Sequence, residues 1–309
     1  MAILFRSTPA ATARWRPLLA RLMPQHEIRF WPELGDPAAI EYALVWQPEP
    51  GVLARLPRLR LIVGLGAGVD HLLRDPELPR HIPIMRLVDP YMTDAMSEFV
   101  VLSVLRLHRQ DLDYLAQQQA REWRELEQKN AAERPVGILG FGTLGQDAGR
   151  KLKSLGFPVA GWSRSAKAVA GFATHAGAAG LDALVAQSEV LVCLLPLTAA
   201  TEGILNADLF SGLPRGAGLV NAGRGGHLVE ADLIPALDAG QLSGAVLDVF
   251  REEPLPSEHP FWAHPRIVVT PHIAAETHPP TAAAIIGEAI GRFEAGQPVA
   301  NLVDWARGY

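Results

Sequence analysis

Short apolar runs alternate with amphipathic stretches along this chain from one end to the other. The early runs are AILF, EIRFW, YALVW, LRLIVGLGA and IPIMRL, with helix-like segments between several of them. Strand, helix and strand in that rhythm predict βαβ units and a parallel sheet. From Thr93, a candidate N-cap, the spacing predicts one long helix over 94–120, ending near Gln119. Its apolar members Phe99, Leu102, Leu105 and Leu112 recur at roughly helical intervals. The polar stretch REWRELEQKNAAERP follows, and then a second alternating block: PVGILG, PVAGWS, EVLVCLLP, AGLVNAG, SGAVLDVF and RIVVTPH. These runs predict six strands of one doubly wound sheet. A last helix is expected from about Pro280 to Ala295, and the tail NLVDWARGY has no strong period. No low-complexity tract or solenoid period is visible.

Composition narrows the classes. A chain of 309 residues has room for two domains of about 150 residues each. Its 49% hydrophobic and 20% charged residues can fill two cores. The net charge of -5 leaves no basic footprint for nucleic acid. An anionic substrate would need a local Arg. The one cysteine, Cys193, can form neither an internal disulfide nor a multi-Cys metal site. Set in EVLVCLLP, it reads as a core thiol, because nucleophilic thiolates need polar, partly exposed surroundings. The start, MAILFRSTPAATARW, has no long apolar h-region, and Arg6 interrupts its short one. No run approaches the ~18 apolar residues of a membrane span. The expectation is a cytoplasmic protein with no membrane partner. No His/Cys/Asp cluster has metal-ligand spacing, so no metal is expected.

The strongest single motif is VGILGFGTLGQDAGRKLKSLG, in which Gly140, Gly142 and Gly145 form G-x-G-x-x-G between a β-like run and a helix-like run. Gly140 would permit the tight turn, Gly142 the close approach of a pyrophosphate, and Gly145 close packing of helix on strand. The phosphates would meet the first amides of the helix at Thr143, Leu144 and Gly145. The next strand should end at the adenosine ribose, where NAD sites carry an acid. This chain has Trp162-Ser163-Arg164-Ser165 there, with Lys167 just beyond. Arg164 can bind a 2′-phosphate through a charge-assisted fork, and Ser163 and Ser165 add hydroxyls. NADP(H) is therefore the preferred cofactor, with NAD(H) kept as the alternative.

Three further stretches, VNAGRGGHLVEADL, LDVFREEPLP and TPHIAAET, follow in order. With LIVGLGAGVDHL and YMTDAMSEFVVLSVL in the first block, they make nearly the whole chain resemble the D-isomer-specific 2-hydroxyacid dehydrogenases. Within that family the YMT segment and the arm around Trp123 look most like reductases of glyoxylate and hydroxypyruvate. The resemblance implies a catalytic set of Arg224, Glu253 and His272, spaced 29 and then 19 residues apart. Taken alone, an Arg between glycines reads as a loop residue, a Glu in REEPLP as a solvated acid, and a His after Pro as a structural hydrogen-bonder. As a set they have a chemistry. Arg224 would grip a carboxylate and polarise the adjacent carbonyl. His272 would protonate the forming alkoxide. Glu253, selected over Glu252 by the resemblance alone, would orient His272 and favour its protonated form.

The resemblance also implies secondary positions. Asp248 would bond the nicotinamide amide, Leu195, Pro196 and Thr201 would line the cofactor groove, and Asn221 and Ala222 would approach the nicotinamide riboside. Ala67 and Gly68 would offer amides to the substrate carboxylate, and Trp46 would shape the substrate pocket with Arg224 and His272. The implied architecture is α/β: a Rossmann-type doubly wound parallel sheet, the cofactor domain at 99–275, inserted into a smaller flavodoxin-like substrate domain built from 1–98 and 276–309. The chemistry is expected in the cleft between them. The long helix and its arm imply a homodimer. The expected reaction is NADPH-dependent reduction of a small 2-oxo acid to the D-2-hydroxy acid. The rivals are a lactate-like, phosphoglycerate-like or bulkier substrate, and a nicotinamide-sensing interaction scaffold.

Overall fold

A computed structural model of the chain describes residues 1–308. The chain forms two compact units, Met1–Met92 with the chain from Glu276 onward, and Thr93–Ala275.

The first unit contains β1 (Ala2–Arg6), α1 (Pro9–Leu22), β2 (Glu27–Phe30), β3 (Ile40–Val45), β4 (Leu61–Gly64), α2 (Asp70–Leu73) and β5 (Ile84–Arg86). The strands are parallel in the order β2-β1-β3-β4-β5. That is the flavodoxin-type order. Leu4 lies opposite Ala43, Ala43 opposite Ile62, and Ile62 opposite Ile84. The row faces one core with Val52, Leu53 and Val69. A strand buried on both faces must be apolar nearly throughout, which is why YALV and LIVG do not alternate. Each large aliphatic buried here contributes about 1.5–3 kcal/mol.

The division falls inside α3 (Pro90–His108), which is followed by α4 (Asp111–Ala120). The single helix expected over 94–120 is therefore two helices, and the first starts at Pro90 instead of after Thr93. The break is at Gln110, in the left-handed region at φ 57°. Gln110 is held there by its side chain, which donates to the Glu127 carbonyl and accepts from Gln128. The turn brings both Leu107 and Leu112 over Gly244, where an added Cβ would stand 2.8 Å from Leu112 and 3.0 Å from Leu107. Leu102, expected on the core face, is 56% exposed.

The second unit continues with β6 (Val136–Leu139), α5 (Thr143–Ser154), β7 (Val159–Ser163), β8 (Ala173–Ala176), α6 (Gly177–Val185), β9 (Val190–Cys193), α7 (Ala207–Gly212), β10 (Ala217–Asn221), α8 (Glu230–Asp238), β11 (Leu242–Leu247) and β12 (Ile267–Val269). The chain then returns to the first unit with α9 (Pro279–Glu294), one residue from the expected bounds. Among the described residues the second sheet has seven parallel strands in the order β12-β11-β10-β9-β6-β7-β8. This is the doubly wound dinucleotide-binding order with one strand added at the β12 edge. All six expected strands are in it. The seventh, β8, has the sequence ATHA and only partial burial, so it carries no apolar run to read. Ile138, Val192, Val220 and Val246 form one row across the sheet and face one core. Leu139, Cys193 and Leu247 face the other. Cys193 is the core thiol expected of it: fully buried, its pKa is pushed up to about 12 by burial.

Candidate active site

The ladder of the second sheet runs on past its strand ends. The amide of Gly140 donates to Trp162, that of Leu194 to Leu139, Ala222 to Cys193, Asp248 to Asn221, and Thr270 to Leu247. Each bond fixes the first residue of a loop at the carboxyl edge of the sheet, the edge where open α/β sheets bind ligands. The residues singled out for the cofactor follow β6, β7, β9, β10 and β11. Those singled out for catalysis follow β10, β11 and β12, adjacent strands at one side of that edge.

The glycine turn has the geometry its sequence implies. Gly140 has φ 93°, and a Cβ there would lie 2.6 Å from the Leu194 carbonyl carbon. A Cβ on Gly145 would collide with the Gly140 carbonyl. At Gly142 a Cβ would meet nothing within 4 Å, leaving open space in front of the turn. Gly142 caps α5 with no side-chain hydrogen bond, and Thr143 next to it is exposed while Leu144 is half-buried. Ser163 is half-buried, and its shielded hydroxyl has no hydrogen-bond partner among the described residues. Arg164 and Ser165 are exposed. Lys167 turns its ammonium back onto the carbonyl of Phe141, inside the glycine turn. Desolvation lowers its pKa. A desolvated cation at this turn, and a shielded hydroxyl with no partner, fit a phosphate-bearing dinucleotide.

The loop after β9 is closed on itself: Thr201 Oγ1 donates to the Pro196 carbonyl at 2.8 Å and accepts from the Thr198 amide at 2.9 Å. Leu195 is buried and Pro196 half-buried. Asn221 is fully buried, and Ala222 beside it is nearly so.

The catalytic candidates converge. Nδ1 of His272 is 2.8 Å from Oε2 of Glu253. The other carboxylate oxygen accepts from the Phe250 amide at 2.9 Å. Burial works to raise the Glu253 pKa. The hydrogen bonds from His272 and Phe250, with the positive charges of His272 and Arg224, outweigh it and hold the carboxyl below its usual value. Gly225 makes the approach of the Arg224 loop possible, because any Cβ there would run into the Phe250 carbonyl. The Arg224 guanidinium is steadied by a 2.8 Å bond from Nη1 to the Gly223 carbonyl.

Asp248 directly follows β11. It is 1% exposed, and its carboxylate accepts from the Thr270 hydroxyl and from the amides of Ile273 and Ala274. It braces the His272 turn, a function the sequence alone did not disclose.

In the first unit, Ala67 and Gly68 are half-buried in the loop after β4. Trp46 continues β3: its amide donates to the Arg6 carbonyl and its carbonyl accepts from the Arg6 guanidinium, and its ring centroid is 4.6 Å from that of His71. Trp46 also backs the loop: a Cβ on Gly66 would lie 2.9 Å from its ring. Trp123 is 97% exposed. No group of His, Cys, Asp and Glu among the described residues could hold a metal, and no described helix is long and apolar enough to cross a membrane.

A doubly wound parallel sheet with this glycine turn, and with an Arg, a Glu–His pair and a buried Asp on neighbouring strand ends, defines a nicotinamide-nucleotide-dependent oxidoreductase. Residues 101–274 match the family described as D-isomer specific 2-hydroxyacid dehydrogenase, NAD binding domain. Glyoxylate/hydroxypyruvate reductase A of Yersinia enterocolitica is 44% identical over 314 aligned positions, covering 100% of both chains. A D-isomer specific 2-hydroxyacid dehydrogenase from Xanthobacter autotrophicus Py2, solved with NADPH and MES, has a TM-score of 0.94 at 42% identity, over 100% of this chain and 99% of that one. The NADPH-dependent glyoxylate/hydroxypyruvate reductase of Sinorhizobium meliloti, solved with NADP and sulfate, has a TM-score of 0.93 at 42% identity and the same coverage. The chain belongs to the D-isomer-specific 2-hydroxyacid dehydrogenase family.

Proposed function

We propose that this protein is an NADPH-dependent reductase of glyoxylate and hydroxypyruvate, producing the corresponding 2-hydroxy acid of D configuration where C2 is chiral. One observation carries the chemistry: the 2.8 Å His272–Glu253 pair, within the field of Arg224, on the same sheet edge as the Gly140–Gly145 turn. Relatives named for this activity, and neighbours solved with NADPH or NADP, support the substrate and the cofactor.

Arg224 binds the substrate carboxylate and draws charge onto the C2 oxygen. Glu253 stays ionised, engages Nδ1 of His272 and sets the ring, so that Nε2 delivers the proton to that oxygen. A nicotinamide held at this sheet edge would be the source of the hydride for C2. The amides of Ala67 and Gly68 are assigned to the carboxylate and the Trp46 ring to limiting substrate size. Arg164, Ser163, Ser165 and Lys167 are assigned to the 2′-phosphate end. In this reading 99–275 is the cofactor domain, and 1–98 with 276–309 the substrate domain. The working form is a cytoplasmic homodimer.

The test follows NADPH oxidation by absorbance, with glyoxylate, hydroxypyruvate, pyruvate and phenylpyruvate in parallel and again with NADH. Fast turnover of the first two with NADPH is the expected result. Preference for phenylpyruvate or pyruvate would discard the substrate and keep the mechanism. Equal use of NADH would discard the 2′-phosphate assignment.

A further inference from the structure

Arg224 stands among glycines: Gly223 precedes it, and Gly225 and Gly226 follow. Main chain of that composition has the widest conformational freedom of any. A bidentate fork works only if its base is fixed to a fraction of an ångström. The glycines are there for close packing, since a Cβ on Gly225 would strike the Phe250 carbonyl. Something else must remove the freedom they bring.

His227 does so with both of its polar faces. Its ring Nδ1 accepts the hydrogen bond of the Arg224 amide at 3.1 Å, and its own amide donates to the Arg224 carbonyl at 3.1 Å. Asn221 completes the grip: its Nδ2 donates to the same carbonyl at 3.1 Å, and its Oδ1 accepts from the Gly223 amide at 3.2 Å. The imidazole is 0% exposed and lies directly on Gly223, where a Cβ would stand 3.0 Å from the ring. The carbonyl of His227 accepts from the Leu205 amide at 2.8 Å, anchoring the clamp to the loop before α7.

We infer that His227 is a positioning residue for Arg224, acting as a neutral imidazole whose unprotonated Nδ1 holds the Arg224 main chain in the orientation that presents the guanidinium to the substrate carboxylate. The inference rests on the reading of Arg224 as the carboxylate clamp. It gives the two histidines of the site opposite tautomeric duties: Nδ1 of His272 faces a carboxylate and donates, and Nδ1 of His227 faces an N–H and accepts.

Three variants test it. His227→Phe keeps a ring in the cavity and removes the acceptor. Its KM for glyoxylate is expected to rise about tenfold or more, the scale of one hydrogen bond lost at a half-buried amide, with the NADPH dissociation constant unchanged within about twofold. His227→Asn can place an oxygen where Nδ1 stands and is expected to recover most of the loss. Arg224→Met separates the two claims. If it leaves KM unchanged, the clamp reading itself fails. If it raises KM while His227→Phe does not, His227 alone is overturned. Asn and Phe variants equally impaired, with NADPH binding lost in both, would also overturn it, since that pattern belongs to packing. A readout without turnover is the nitrogen NMR spectrum of histidine-labelled protein. His227 should show an unprotonated Nδ1 and a protonated Nε2, and a protonated Nδ1 would sink the proposal even if a variant failed to fold.

Discussion

Asp248 holds the turn on which His272 is presented. Its carbonyl accepts the His272 amide at 2.9 Å, and its carboxylate takes the amides of the next two residues. His272 needs the restraint, because its φ of 55° lies in the left-handed region. A non-glycine residue held there costs on the order of 1–3 kcal/mol. Asp248→Asn keeps the shape but turns an N–H toward one of the two amides. The expected outcome is a stability loss of about 1.5–3 kcal/mol, the scale of hydrogen bonds to a charged group, with a drop in kcat of tenfold or more. Urea denaturation and steady-state rates check both. A variant with wild-type kcat would refute the brace.

Variants of Glu253 and His272 should separate their roles. The Glu253 carboxyl is held below its usual 4.5, so it is ionised from about that pH upward and contributes no limb to the rate profile above it. Glu253→Gln removes the carboxylate that engages Nδ1 of His272 at 2.8 Å and should lower kcat about tenfold or more with NADPH binding retained. His272→Asn should lose most turnover at every pH while still binding NADPH. A Glu253 variant with wild-type kcat would disprove the coupling.

Under the proposed reading, the charges after β7 select the cofactor. Arg164→Asp introduces the acid that NAD sites carry, and should turn the preference toward NADH. Lys167→Met removes the cation on the Phe141 carbonyl and should weaken NADPH binding more than NADH binding. Dissociation constants from titration, free of any chemical step, decide both. An unchanged NADPH/NADH ratio in the two variants would place the 2′-phosphate elsewhere.

What the sequence disclosed follows from which forces are local. The strands of both sheets were legible because two-sided burial demands runs such as VGIL and VLVC. β8 was not, since an edge strand needs no such run. The glycine turn was legible because its backbone angles and close approaches admit few other residues. The break between α3 and α4 was not, because Gln110 reaches φ 57° with neither Gly nor Pro to announce it. Arg224, Glu253 and His272 were singled out through their motifs, and the structure sets His272 against Glu253 at 2.8 Å. The groups that hold them were hidden, because an acid at a strand end and a histidine after glycines have no local signature. Asp248 and His227 take their meaning from residues brought close by the sheet.

Helix α5 leads away from the glycine turn and is tied to α3. Asp147 on α5 accepts from Ser97 on α3 at 2.7 Å, and is paired with Lys151 and Arg150 at 2.9 Å each; Lys151 also reaches Asp94 at 2.7 Å. Burial works to raise the Asp147 pKa, but the bonds from Ser97, Lys151 and Arg150 prevail and hold it below its ordinary 3.8. A depressed carboxyl pKa stabilises the fold at pH above the unfolded value, and the contribution is lost as pH falls through the folded one. Asp147→Asn should therefore be less stable than the parent at pH 7, by about 1–2 kcal/mol. The gap should hold down to roughly pH 5 and narrow below 3.8. Denaturation of both proteins across this range measures it. A gap that widened with acid would show that Asp147 is protonated in the folded protein and that the network is held by something other than its charge.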